Sequence, residues 1–264
     1  MFKQWRLIDS GPCSAAYNMA LDEAISTAVR RHDAPPTLRL YGWTGPAVSL
    51  GCFQKAADVD IAYCSTRNIP VIRRPTGGRA ILHGNELTYS FAVRTDLSPF
   101  SQGLLESYRI ISSAFARAFR KLGLCVESKD RRERGRVLVR SPLCFQSSSY
   151  GEILSNNRKI VGSAQKRWKN GLLQQGSVPY AYDSETARHI FGGRFASETE
   201  DRMTTVKTVL PDLDDAAFRQ TITEAFEETF CVSLLASHPT GEEALLAREL
   251  EKQKYLHDSW NLRL

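Results

Sequence analysis

The sequence predicts an α+β protein built from mixed, largely antiparallel sheets flanked by helices. Two observations carry that reading. The first is an amphipathic helix over 104–122, where Leu104, Tyr108, Ile111, Phe115, Ala118 and Leu122 step by four and three and so share one face. The second is a series of short apolar runs separated by Gly, Pro and Asn, as expected of strands joined by tight turns.

The remaining elements follow in order. Residues 18–31 read as a helix, with Met19, Leu21, Ala24, Ile25 and Ala28 along a broad stripe. Residues 37–41 and 47–50 read as strands around the turn 42–46. Residues 59–67 read as a helix, 70–74 as a strand and 86–93 as an alternating strand. Gly123 supplies a stop for the long helix. A hairpin is expected from 151–154 and 159–164, turning at Asn156-Asn157. Residues 214–230 and 242–254 read as closing helices. No repeat, low-complexity tract or linker divides the chain, so one domain over residues 1–264 is expected.

Composition bounds the function. With 42% hydrophobic and 24% charged residues among 264, the chain can bury a substantial core, which excludes disordered and fibrous classes. No apolar run reaches the roughly 18 residues of a membrane span, and the N-terminus shows no secretory signal, so a cytoplasmic location is expected. The charge of +6 lies largely in residues 131–140 and comes with no nucleic-acid-binding motif. A basic surface that attracts acidic proteins accounts for it equally well. Six scattered cysteines form no Cys-x-x-Cys pair and no histidines lie at zinc spacing, so no metal or other cofactor is expected.

Two motifs stand out. Arg73-Arg74-Pro75-Thr76-Gly77-Gly78-Arg79-Ala80-Ile81-Leu82-His83 sets paired glycines, which permit close backbone approach, among guanidinium forks. It is neither a P-loop nor a dinucleotide fingerprint. Taken alone, a Gly-Gly pair is also compatible with a tight turn carrying solvated arginines. The other motif combines Cys144, in Ser141-Pro142-Leu143-Cys144-Phe145, with Lys159, in Lys159-Ile160-Val161-Gly162-Ser163-Ala164-Gln165. A free thiol is only slightly ionised at neutral pH, and a nearby ammonium increases the thiolate fraction. Taken alone, a cysteine is also an ordinary small core residue. Cys52, with Lys55 three residues on, is the rival thiol.

The first motif, continued by Asn85-Glu86-Leu87-Thr88-Tyr89-Ser90, resembles the signature of the biotin/lipoate protein ligase and octanoyltransferase superfamily. The Lys159–Gln165 string is similar to that superfamily's second signature, and Asn18-Met19-Ala20-Leu21-Asp22 and Asp258-Ser259-Trp260-Asn261 extend the match over nearly the whole chain. The resemblance implies a ligase-like catalytic domain with a tunnel for a medium-chain acyl group. Its substrate-binding positions would be Arg73, Arg74, Thr76, Gly77, Gly78, Arg79, His83, Gly162, Ser163 and Ala164.

The loop around Cys144 resembles that of the cysteine-dependent octanoyltransferases, in which a cysteine and a later lysine are paired, making Cys144 and Lys159 the implied catalytic residues. The donor implied is octanoyl-acyl carrier protein, and the acceptor a lysine of a lipoyl domain such as the glycine cleavage H protein. The same superfamily offers two other activities: an ATP-dependent lipoate ligase, and an amidotransferase moving octanoate between lipoyl domains. A large C-terminal accessory domain is not expected after Trp260-Asn261. A nucleic-acid binder using Arg131, Arg132 and Arg134 is the non-enzymatic rival.

Overall fold

The computed structural model describes residues 3–128 and 152–264. Chain order begins with β1 (Lys3–Cys13), α1 (Ala15–Arg31), β2 (Thr37–Trp43), β3 (Ala47–Leu50), α2 (Ile61–Thr66), β4 (Val71–Arg73), β5 (Ile81–His83) and β6 (Glu86–Val93). It continues with α3 (Leu104–Lys121), β7 (Glu127–Ser128), β8 (Ile153–Ser155), β9 (Arg158–Arg167) and β10 (Leu172–Pro179). The last described part holds α4 (Ser184–Phe191), α5 (Gly193–Arg202), α6 (Val206–Val209), α7 (Asp215–Phe230), β11 (Val232–Ala236), α8 (Gly241–Leu250) and α9 (Asp258–Asn261).

The large sheet runs β11-β1-β2-β6-β10-β9-β8-β7, and a small one runs β4-β3-β5. In the large sheet β1 pairs in parallel with β11 and β2, and the other ladders are antiparallel. The mixed, largely antiparallel α+β class expected from sequence is therefore the observed one.

Period-two alternation sorts the central strand between two cores. Leu87, Tyr89, Phe91 and Val93 of β6 face a core completed by Phe115 and Phe119 of α3 and Phe218 and Phe226 of α7. Ala92, on the opposite face, joins a core formed with Met19, Leu21 and Ile25 of α1 and Ala247 of α8. Because both faces are covered, every residue of β6 is buried.

Local signals explain the boundaries. The Ser14 side chain caps α1 by accepting from Tyr17 N, so the helix begins earlier than its apolar stripe suggests. Asn156 and Asn157 both take positive φ, at 49° and 60°, which suits the two-residue turn of a β8–β9 hairpin. Thr240 and Glu243 form a reciprocal capping box at the start of α8.

The fold also sets two loops against each other. A Cβ built on Gly51 would lie 1.9 Å from Gly78 O, so the segment after β3 passes directly over the paired glycines. Gly51→Ala should therefore cost about 1–3 kcal/mol through overpacking. Thermal unfolding should show a midpoint several degrees below wild type, whereas an unchanged midpoint would mean the two loops separate freely.

Candidate active site

The first signature forms the turn between β4 and β5, and its two leading arginines do different work. Arg73 is fully buried. Its guanidinium donates to the carbonyls of Gly51 at 2.8 Å and Gln54 at 2.6 Å, and its Nε donates to Asn261 O at 3.1 Å. Burial, and then the charge of Arg263, pull its pKa below the usual guanidinium value. Arg73 thus fastens the C-terminal segment to the 51–54 loop and does not line either cavity described below.

Arg74 knots the glycine turn itself. Its Nη2 donates to Gly77 O and Arg79 O, both at 2.7 Å, while its Nη1 donates to the Ser49 carbonyl and hydroxyl oxygens at 3.0 Å. Gly78 sits at φ +85°, which favours glycine, and a Cβ there would meet Arg74 Nη2 at 2.8 Å. Thr76 leaves the turn to donate to Gln175 Oε1 on β10 at 2.8 Å. Arg79 is partly exposed at the end of the turn.

His83 continues this chain of contacts. Its Nε2 lies 2.7 Å from Ser49 Oγ and its Nδ1 lies 2.8 Å from Glu86 Oε1. Burial alone would raise the Glu86 carboxyl, but the charge of His83 and hydrogen bonds from His83 and Thr88 hold it below the ordinary glutamate value. An ionised Glu86 requires the proton on Nδ1. Ser49 Oγ, which also accepts from Arg74, holds the Nε2 side of the ring. The Trp43 ring stacks on the imidazole at 4.0 Å and donates to Thr88 Oγ1 at 2.7 Å.

The second signature is β9. Gly162 and Ser163 pair with Ser177 and Gly176 of β10, and Ser163 Oγ lies 2.8 Å from Tyr89 Oη. Lys159, near the start of this strand, is 2% exposed, and its Nζ donates to Glu152 Oε1 at 2.5 Å. Two buried opposite charges in such contact compensate each other's desolvation, so neither can be removed alone without large cost.

Two cavities meet at His83. A narrow one of about 20 Å³ lies between Met19, Tyr41, Trp43, Arg74 and Gly162–Ala164. A larger one of about 330 Å³ extends past Ala80, Leu82 and Asn85 to Tyr182 and Met203. Ile81, His83 and Ser177 line both. Met203 also bridges to Lys159 through the backbone, so the larger cavity ends beside the lysine strand.

The structure thus brings Arg74, His83, Gly162, Ser163 and Ala164 to one wall, with Gly77 and Gly78 in the turn that Arg74 closes. Cys144 and the arginine-rich stretch 131–140 lie outside the described residues. Cys52 is buried, with Arg263 Nη2 3.4 Å from its Sγ, and lines neither cavity. Sequence reasoning missed Ser49, Glu86 and Glu152. Glu86, three residues beyond His83 across a tight turn, carried a usable signal. Glu152 carried only a charge complementary to Lys159 on the facing strand of a hairpin.

A mixed sheet carrying a glycine-arginine turn beside a buried lysine strand defines a lipoate-ligase-like acyl-handling catalytic domain. The chain belongs to the lipoyl protein ligase A/B catalytic domain family, which matches residues 14–227. It is an enzyme of the acyltransferase class. It is 40% identical to octanoyltransferase LipM of Kyrpidia tusciae and 36% identical to that of Geobacillus kaustophilus, in each case over 98% of both chains. A putative lipoate protein ligase of Thermoplasma acidophilum with bound lipoic acid superposes with a TM-score of 0.81 at 25% identity, covering 99% of this chain and 100% of the other. A lipoate-protein ligase A bound with ATP gives 0.81 at 26% identity over 98% of each chain.

Glu86 gives the site a pH signature. Its folded pKa is depressed, so its contribution to stability is complete above the unfolded value of about 4.3 and is lost as pH falls through the folded value. The gap in urea midpoint between wild type and Glu86→Gln should therefore shrink as pH is lowered from neutrality into the acid range. A gap that stays constant with pH would show that the carboxylate is not favoured by folding.

Proposed function

We propose that this enzyme transfers an octanoyl group from octanoyl-acyl carrier protein to a specific lysine of a lipoyl domain, such as the glycine cleavage H protein, in lipoate biosynthesis. Cys144 carries the group between the two. The observation that supports this reading most is Lys159, a buried cation fixed by Glu152 on the strand that also carries Gly162–Ala164. The family kinship and the octanoyltransferase names of full-length relatives support it independently.

In the first step the Cys144 thiolate attacks the donor's thioester carbonyl. A new carbon–sulfur bond forms, the carrier's carbon–sulfur bond breaks, and the carrier thiolate leaves and takes up a proton. In the second step the neutral amine of the acceptor attacks the Cys144 thioester. The amide forms, the amine gives up a proton, and the cysteine departs as thiol. Lys159, held by Glu152, supplies the positive charge that favours the thiolate. Arg74, Gly77, Gly78, Arg79, His83, Gly162, Ser163 and Ala164 form the substrate wall, and Arg73 and Thr76 brace it. The arginines of 131–140 draw in acidic partners, an effect on encounter rate that salt weakens.

The likeness to an ATP-bound ligase favours one competing reading, ATP-dependent ligation of a free acid. Mass spectrometry after mixing with octanoyl-acyl carrier protein should detect one octanoyl adduct on wild type and none on Cys144→Ala. Equal labelling of both, or ATP-dependent transfer that survives Cys144→Ser, would overturn the thioester route. Running an octanoylated lipoyl domain as donor in parallel separates the amidotransferase.

The lysine's role has its own test. Iodoacetamide should alkylate Cys144 rapidly near neutral pH, and loss of Lys159 should move the profile to higher pH. Because Lys159→Ala strands Glu152 as a buried charge, the variant is best made together with Glu152→Gln. A profile unchanged in that double variant, with Cys52 replaced throughout, would show that Lys159 does not activate the thiol.

A further inference from the structure

The larger cavity has a chemistry that an alkyl chain does not use. Its walls combine aliphatic surface from Ala80, Leu82 and Met203 with polar groups at Asn85, Tyr182 and Asp183. Asn85 is exposed, and its carboxamide makes no hydrogen bond to another described residue, although its backbone carbonyl accepts from Tyr180 and Ala181. Tyr182 lines the cavity with a hydroxyl that is buried and has no partner among the described residues. A hydrocarbon placed here would leave the buried Tyr182 hydroxyl unsatisfied and strip water from the Asn85 carboxamide, which is unfavourable. A ligand carrying amides would match them, since a carboxamide offers both a donor and an acceptor.

Charge narrows the class. The described lining contains the carboxylates of Glu86 and Asp183 and neither lysine nor arginine, so it suits an uncharged chain better than a polyphosphate. Size narrows it further. At roughly 30 Å³ for each water-sized atom, 330 Å³ holds about ten non-hydrogen atoms. That matches the cysteamine and β-alanine portion of a pantetheine arm and is about twice what a lysine side chain fills. The cavity also opens at exposed Ala181 and Asp183 and reaches inward to Met203, beside the lysine strand.

We infer that this cavity receives the amide-bearing pantetheine arm of the thioester donor, leaving the arm's phosphate outside. The inference rests on the proposed thioester route and names the part of the donor that the enzyme reads besides the acyl group. The carbonyl carbon then lies toward His83 and β9, where the two cavities meet.

The test compares octanoyl-pantetheine with S-ethyl octanethioate, which presents the same acyl group and no arm. Wild type should be acylated at least about tenfold more efficiently by the pantetheine thioester. Ala181→Phe, which fills the cavity mouth from an exposed position, should erase that advantage, and Asn85→Ala should lower it about fivefold. Both variants should leave acylation by the ethyl thioester within about twofold of wild type. Free pantetheine should bind wild type in an NMR titration and fail to bind Ala181→Phe.

Equal loss with both thioesters would mean that the cavity holds the acyl chain, and no loss with either would mean that the donor does not enter it. Slowed aminolysis with donor acylation intact would assign the cavity to the acceptor lysine. ATP binding in place of pantetheine would make it a nucleotide site. Each of these outcomes overturns the inference. Absence of any Cys144 adduct with either thioester would instead overturn the proposed function, and the titration would still decide the cavity's occupant.

Discussion

The contact on which the rest of the site depends is a buried ion pair between Asp22 of α1 and Arg39 of β2. The two meet at 2.7 Å with both side chains fully buried. An isolated pair at that depth is costly, and what makes it tolerable is complete hydrogen bonding. Arg39 also donates to Asn18 Oδ1 at 2.7 Å and stacks over the Tyr41 ring at 4.0 Å. Asp22 accepts in addition from Tyr41, Ser90 and Gln175. Asn18 and Asp22 stand one helical turn apart, so only helical backbone presents both to the same guanidinium. The Asn18–Asp22 string is therefore a docking device that sets the position of α1 on the sheet.

That device extends into the site through a single side chain. Gln175 donates to Asp22 at 2.7 Å and accepts from Thr76 at 2.8 Å, so the glycine turn is hung from the same cluster that docks α1. From the other end, Arg74 binds the turn to Ser49, and Ser49 leads to His83 and Glu86. Movement of the turn would break bonds in both networks at once. A wall made in this way is rigid without needing large side chains, which leaves glycine and alanine free to line the narrow cavity. Preorganised walls are what acyl transfer needs, because positioning supplies much of the rate advantage.

How much of this was legible in the sequence differs by element. The helices 15–31, 104–121 and 215–230 showed because amphipathic stripes are local, and the Asn156-Asn157 hairpin showed because its turn chemistry is local. Strand β1 did not, because its pairing partners β2 and β11 are set by tertiary packing, with Trp5 entering a core whose other members lie far away in sequence. The two signatures located the site wall as a whole. They could not divide labour within it: Arg73 and Arg74 read alike, yet one holds the C-terminal segment and the other shapes the turn. Nor could spacing reveal that Lys159 is paired, since Glu152 reaches it only after the hairpin closes.

The Lys159–Glu152 pair bears on why one scaffold serves both ligases and transferases. A buried ammonium is expensive, and Glu152, just before β8, supplies the carboxylate that offsets its charge. The pair as a whole is close to neutral, and its influence on a neighbour is then directional: it attracts an anion on the side of Nζ, repels one on the carboxylate side, and fades with distance as the two charges cancel. Either an acyl phosphate or a thiolate gains from such a site, because both place negative charge on an atom that must be held still. What distinguishes the two chemistries is therefore the group brought up to the lysine. On the proposed reading that group is Cys144, and the fixed pair is what allows a side chain from elsewhere in the chain to become a nucleophile without rebuilding the fold around it.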